Sequence, residues 1–173
     1  MNERILRAEP YVLAPGQRVS DDWDFQPEMR MLASGNQTGN ALTVADCSYD
    51  AALFGPPLHI HENDDEAMFV LEGVVTLQIG EERHELLPGS FAWMPRGVPH
   101  CFANLSGEPI RVFGLSAPSG FEHMLTAIGE AMTGEDDPIR AYRLGEEIGR
   151  RFGFRVIGPP LWEMPVHGTV VGP

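Results

Sequence analysis

Basic residues are scarce in this chain and are never gathered into a run. Twelve lysines and arginines stand against 25 acidic residues, for a net charge of −13. Nothing here can track a phosphate backbone, so nucleic-acid binding is disfavoured. No stretch resembles a helix-turn-helix either. Long apolar runs are missing as well. No segment reaches the roughly 18 residues of a membrane-spanning helix. The N-terminus, Met1 to Pro10, lacks the apolar core of a signal peptide. The expectation is a cytoplasmic protein with neither membrane nor nucleic acid as partner. Cysteine is limited to Cys47 and Cys101, without CxxC spacing. Two cysteines do not make a disulfide scaffold, although a single bridge between them stays open. Cys101 adjoins His100, so on a strand it faces the opposite way and reads as a packed thiol rather than a ligand. No internal repeat is visible. What is present, 173 residues at 43% hydrophobic, suffices for one domain around one core.

The stretch His59-Ile60-His61-Glu62-Asn63-Asp64-Asp65-Glu66 carries the chemistry. On an extended strand, side chains two apart share a face, so His59 and His61 converge. Glu66 breaks that alternation, and a turn through Asn63 and Asp64 can bring it back from a second strand. Asp65 is the competing carboxylate. Two imidazoles and a carboxylate suit one divalent transition metal ion, Ni, Co, Mn, Fe, Cu or Zn. A further ligand must come from elsewhere, and Gly89 to His100 offers one. That segment delivers His100 after a strand and turn punctuated by Gly89, Pro95, Gly97 and Pro99. His84, His123 and His167 fall outside these stretches and read as structural or solvated.

Along the chain, residues 1–38 read as an irregular arm with short extended pieces at Tyr11–Leu13 and Met29–Leu32. These pieces are free to pair with the main body or with a second subunit. Trp23 and Phe25 are candidates to cover one mouth of the body. Residues 39–117 hold a series of short strands: 41–47, 66–71, 74–79, 83–87, 91–94, 100–105 and 110–115. Such runs, separated by turn residues, predict a sandwich or barrel. Residues 118–164 change period. Phe121, Met124, Leu125, Ile128 and Met132 recur at helical spacing, and Ser119 with Glu122 reads as a capping box. Asp137 and Pro138 open a second helix that ends near Gly153. Phe154 to Trp162 is a short extended closing segment, and 165–173 reads as a loose tail.

The residues already named resemble the two motifs of the cupin family. Gly55, His59, His61, Glu66 and Gly73 match the first at its spacings; Gly89, Pro95, Gly97, His100 and Asn104 match the second. The resemblance implies an all-β fold, the cupin β-barrel (a jelly roll, or double-stranded β-helix), here with a small C-terminal helical appendage. It implies that His59, His61, Glu66 and His100 are the metal ligands. If Glu66 and His100 point inward, strand parity sends Met68, Val70, Phe102 and Asn104 inward too, as a substrate pocket. Within the cupins the chain is similar to single-domain bacterial quercetin 2,3-dioxygenase-like proteins, through HxHxxxxE followed by Ala67 to Gly73 and through the ending Gly158 to Trp162. That similarity implies a metal-dependent dioxygenase acting on a flavonol or related enolic aromatic with dioxygen. Glu66 would serve as the catalytic base, and the assembly would be a homodimer. Two alternatives stay open: a non-oxidative metal enzyme (isomerase, cyclase or decarboxylase), and a small-molecule-binding protein without turnover. Both use the same barrel.

Overall fold

A computed structural model describes residues 9–19, 28–51 and 55–164. The expectations for Trp23, Phe25, His167 and the tail 165–173 lie outside these residues. Ten strands are present: β1 (Met29–Ala33), β2 (Thr43–Tyr49), β3 (Pro57–His61), β4 (Asp65–Glu72), β5 (Val75–Ile79), β6 (Glu82–Leu86), β7 (Phe91–Met94), β8 (His100–Ala103), β9 (Ile110–Ala117) and β10 (Phe154–Pro160). Helices α1 (Gly35–Thr38), α2 (Phe121–Met132) and α3 (Pro138–Arg151) and one 3-10 turn (Leu161–Glu163) complete the described chain. Two five-stranded antiparallel sheets face each other, in the orders β1-β2-β9-β4-β7 and β10-β3-β8-β5-β6. This is the cupin β-barrel, with a small helical part. Among the described residues, no helix is long and apolar enough to cross a membrane.

Alternation builds the core. On β5, the side chains of Val75 and Leu77 are fully buried, and on β4 Met68 and Val70 are buried from the other sheet. These residues meet Met31, Met94, Ile110 and Val112 in one apolar cluster. Each side chain excluded from water there contributes about 1.5–3 kcal/mol. Two glycines turn the chain where no side chain fits. Gly55 has φ +72°, and a Cβ on it would lie 1.8 Å from the Phe102 carbonyl oxygen; Gly73 has φ +74°, and a Cβ there would lie 2.4 Å from the Pro109 oxygen.

Four details differ from the sequence expectations. First, Met29–Ala33 pairs with β2 of the same chain, whereas Tyr11–Leu13 forms no strand. Tyr11 donates its hydroxyl to the Leu32 carbonyl instead. Second, the closing segment expected to be extended at Phe154 to Trp162 belongs to the barrel itself. Its extended segment, β10, pairs antiparallel with β3 and forms an edge of the second sheet. Third, the capping box at Ser119 does not form. Gly120, at φ 145°, precedes α2 without a side-chain cap. The buried Glu122 carboxylate accepts the Gly120 and Gly35 N–H groups and the Thr43 hydroxyl, which ties α2 to α1 and β2. Fourth, the box that does form lies at Ser34, whose N–H and hydroxyl donate to Gln37 Oε1 at the start of α1. Asp137 does cap α3, accepting the Arg140 N–H at 3.4 Å.

Candidate metal centre and its cavity

Three elements bring four side chains together. His59 and His61 lie on β3 and share its inner face, as period-2 geometry requires. Antiparallel pairing sets His59 opposite His100 at the start of β8. Glu66 arrives from the opposite sheet, at the start of β4, where it registers with Met94 and Ser116. One ligand-type atom from each of His59, His61, Glu66 and His100 lies within 4.8 Å of the others, so the cluster could hold a metal ion. The Gly97 N–H, at φ +78°, donates to the His61 carbonyl and fixes the second motif against the first.

The outer nitrogen of each ring is already committed. His59 Nδ1 is 2.8 Å from the Pro57 carbonyl and His100 Nδ1 is 2.9 Å from the Val98 carbonyl. His61 Nδ1 lies 3.2 Å and 3.3 Å from the two Asp64 oxygens. Asp64 is held in turn by the Ser116 hydroxyl at 2.9 Å. Partners of this kind fix ring orientation and aim each Nε2 at a common centre. Glu66 Oε2 faces that centre, 3.2 Å from His100 Nε2 and 3.3 Å from His61 Nε2. His61 Nε2 is buried, and its approach to Glu66 lacks hydrogen-bond geometry, so the atom has no hydrogen-bond partner. An orphaned imidazole nitrogen beside a carboxylate is what a divalent cation would satisfy.

Electrostatics agree with a shared centre. Burial, then the neighbouring His100, pushes His59 down to about 3. Burial also acts against charge on His61, but the Asp64 and Glu66 carboxylates beside it outweigh it and lift the ring to about 9. Glu66 is held below the usual carboxylate range: burial opposes this, but His100 and His61 prevail. Asp65, the competing carboxylate, is taken by Arg96, whose Nε and backbone N–H both reach its Oδ1 and whose second guanidinium nitrogen reaches Oδ2 at 2.9 Å. Neither thiol competes. Cys47 and Cys101 are free and buried, and burial first of all raises them to about 12 and about 11. His123 is exposed, and His84 is half-buried within 3.6 Å of Glu82.

A cavity of about 360 Å³ opens onto the cluster, reached by His59, His61 and Glu66. Met68 and Phe102, named from strand parity, line it. Val70 does not. It points inward as parity requires, but it packs fully buried in the apolar core. Asn104 does not line the cavity either: β8 ends at Ala103, and the Asn104 amide is spent on the Asp50 and Glu108 carbonyls. Two contributions were not named as site residues from sequence. Phe154, the first residue of β10, lies 4.4 Å from the His59 ring and 5.4 Å from His61, centroid to centroid. Its signal was the alternation Phe154, Val156 in a segment that pairs with β3. The other is α2, whose apolar stripe forms a wall of the cavity.

Residues 50–128 match the family model for the cupin domain. Over those residues the chain is similar to cupins. Over 145 residues, 83% of its length, it is 26% identical to quercetin 2,3-dioxygenase of Bacillus subtilis (strain 168), and it spans 41% of that relative. Among solved structures it is similar to KdgF from Halomonas sp., with TM-score 0.48 and 22% identity over 58% of this chain and 87% of that one. It is also similar to BH2720 from Bacillus halodurans, with TM-score 0.49 and 21% identity over 65% and 83%.

Proposed function

We propose that this barrel holds one divalent transition metal ion through His59, His61, Glu66 and His100, and that it is a dioxygenase opening the ring of a flavonol or related enolic aromatic compound. The observation that carries the reading is the buried, partnerless Nε2 of His61 among three imidazoles whose outer nitrogens are all engaged. A metal bound there would supply Lewis acidity and a meeting point for a chelating substrate and dioxygen. The metal, drawn from Ni, Co, Mn, Fe, Cu and Zn, is set by availability as much as by these hard and borderline ligands.

The chain's own residues do the rest. Glu66 reaches the cavity, so its carboxylate can take the hydroxyl proton of an enol seated there. Asp64, fixed by Ser116, holds His61 in one orientation throughout. Phe154 and Phe121, whose ring centroids lie 5.4 Å and 6.0 Å from that of His61, keep bulk water from the rings. The similarity to quercetin 2,3-dioxygenase supports the choice of reaction. The test is elemental analysis of protein purified without a histidine tag, followed by oxygen-electrode traces with quercetin. One metal per chain and oxygen uptake matched to quercetin loss is the expected result. Metal without oxygen uptake would move the reaction to a non-oxidative isomerase, cyclase or decarboxylase.

The proposal includes a homodimer. β7 is a sheet edge, and Phe69, Phe91 and Trp93 on the outer face beside it are 39%, 63% and 48% exposed. They are neighbours across the β4–β7 register. At a net charge of −13, a contact lined by carboxylates would repel its own copy. An aromatic face avoids that repulsion and covers an open edge.

A further inference from the structure

The cavity beside the four-residue cluster is selective in a way that neither the ligands nor the fold require. All twelve basic residues of the chain are arginine, and none of those among the described residues lines the cavity. Its only carboxylate is Glu66. The two aliphatic hydroxyls on its wall are committed elsewhere. Thr43 donates to the Glu122 carboxylate and Ser116 donates to Asp64, which leaves the Tyr49 hydroxyl and the Cys47 thiol as the other polar side chains of this wall. Among the described residues, a ligand therefore finds few side-chain proton donors outside the metal cluster, the Tyr49 hydroxyl and the Cys47 thiol. The remaining wall is apolar, and helix α2 supplies much of it through Phe121, Met124, Leu125 and Ile128. Glu122, on the same helix but turned away from the cavity, locks α2 against Gly35 and Thr43, so this wall is held in place. At about 360 Å³ the space lies at the small end of ligand pockets, which run from about 300 to 1,000 Å³.

We infer that helix α2 is the specificity wall of this site, and that it selects an uncharged, apolar body of two or three rings while rejecting sugars and phosphorylated substrates. The inference deepens the proposed function and rests on it for the position of the ligand's polar end. A phosphate buried here would meet no cation to offset its desolvation. A sugar's hydroxyls would lose water and gain few partners. An aromatic body bearing a single enolic hydroxyl would bring its polar edge to Glu66 and the imidazoles and leave the rest against α2. Met29, Met68 and Met124 on the wall allow rings of differing outline, because thioether side chains repack readily.

The experiment uses the full chain, first stripped by chelator and then loaded with Ni, and three probes: flavone, 3-hydroxyflavone and glucose 6-phosphate. Calorimetry or intrinsic fluorescence reads the affinities. Flavone should bind both forms, since it needs only the wall. 3-Hydroxyflavone should bind the loaded form more tightly than flavone does. Glucose 6-phosphate should bind at least about 100-fold more weakly than either. Met124→Ala and Leu125→Ala should each weaken flavone about 5- to 10-fold with metal content unchanged. Leu125, being half-buried, guards against a Met124 variant that fails to fold. Glucose 6-phosphate within tenfold of flavone, or flavone affinity unchanged in both folded variants, would overturn the inference. The two readings fail separately. Flavone binding without metal uptake supports the wall and sinks the metal centre; metal uptake without flavone binding does the reverse.

Discussion

His59 and His100 face each other across the β3–β8 pairing, their ring centroids 4.4 Å apart, and each anchors its Nδ1 on the carbonyl two residues before it. The same local device, used on two strands, aims both Nε2 atoms at one point. His61 lacks it and depends on Asp64 instead.

That difference makes Asp64→Asn an informative variant. Loss of such a partner typically costs 10- to 100-fold in metal affinity. We expect Asp64→Asn to bind metal at the same stoichiometry but about 10-fold or more weakly, measured by competition with a chromophoric chelator. Unchanged affinity would show that Asp64 does not orient the ring.

His61→Ala should abolish metal uptake, and any activity with it, while the circular dichroism spectrum and cooperative unfolding persist. The ring lies at the site rather than in the main apolar cluster, so the barrel keeps its core. Full metal occupancy in this variant would mean the ligands lie elsewhere.

Asp46 gives a pH prediction. The Arg111 hydrogen bond, with a second from Arg30, outweighs burial and holds its carboxyl at about 2, below its ordinary value of 3.8. A depressed acid stabilises the fold above the unfolded pKa, and that contribution disappears as pH falls from about 4 through 2. The shift alone corresponds to roughly 2.5 kcal/mol. The guanidinium partners are 26% and 39% exposed, so screening leaves about 1 kcal/mol. Asp46→Asn should therefore melt lower than wild type at pH 7, and the gap should close between pH 4 and 2. A gap that stays constant across that range would contradict the assignment.

Gly55→Ala should destabilise the fold by about 2 kcal/mol or more, because the residue combines a left-handed backbone with a Cβ position 1.8 Å from the Phe102 oxygen. Phe102 lines the cavity, so flavone binding should weaken as well. Denaturant unfolding and the binding assay read the two effects separately. Gly89→Ala is the control: its φ of +92° carries backbone strain, but nothing lies within 4 Å of the added atom.

Trp93→Arg should give a monomer by light scattering at micromolar concentration if the exposed aromatic face joins two copies. Wild-type protein that is already monomeric under those conditions would end the homodimer reading.

Much of the site was legible because it is local. His59, His61 and Glu66 fall within eight residues, strand period aligns the first two, and glycines at Gly55 and Gly97 mark turns with φ +72° and +78°. The strand series was readable for the same reason, with Phe91–Met94 matching at both ends. What escaped depends on tertiary context. Val70 and Met68 share a face and one core cluster, but only Met68 also reaches the cavity, which parity alone does not distinguish. Ser119 and Glu122 had the spacing of a cap, yet Glu122 was claimed by Gly35, 87 positions away. The stripe Phe121, Met124, Leu125, Ile128 announced a helix but not the surface it would cover. The pairing of β10 with the histidine strand left no local trace beyond alternation.

That last pairing sets an order of assembly. β3 carries two of the four site residues, yet its outer neighbour, β10, lies about ninety residues later, with Phe154 registered to His61. The loop closed by this contact is among the longest in the described chain, and long closures are made late. During synthesis, strands β1 to β9 can assemble while the edge of the histidine strand is still bare. Until the ring of Phe154 comes to rest beside His59, that edge of β3 has no cover. All four residues of the cluster therefore precede in the chain the strand that covers them.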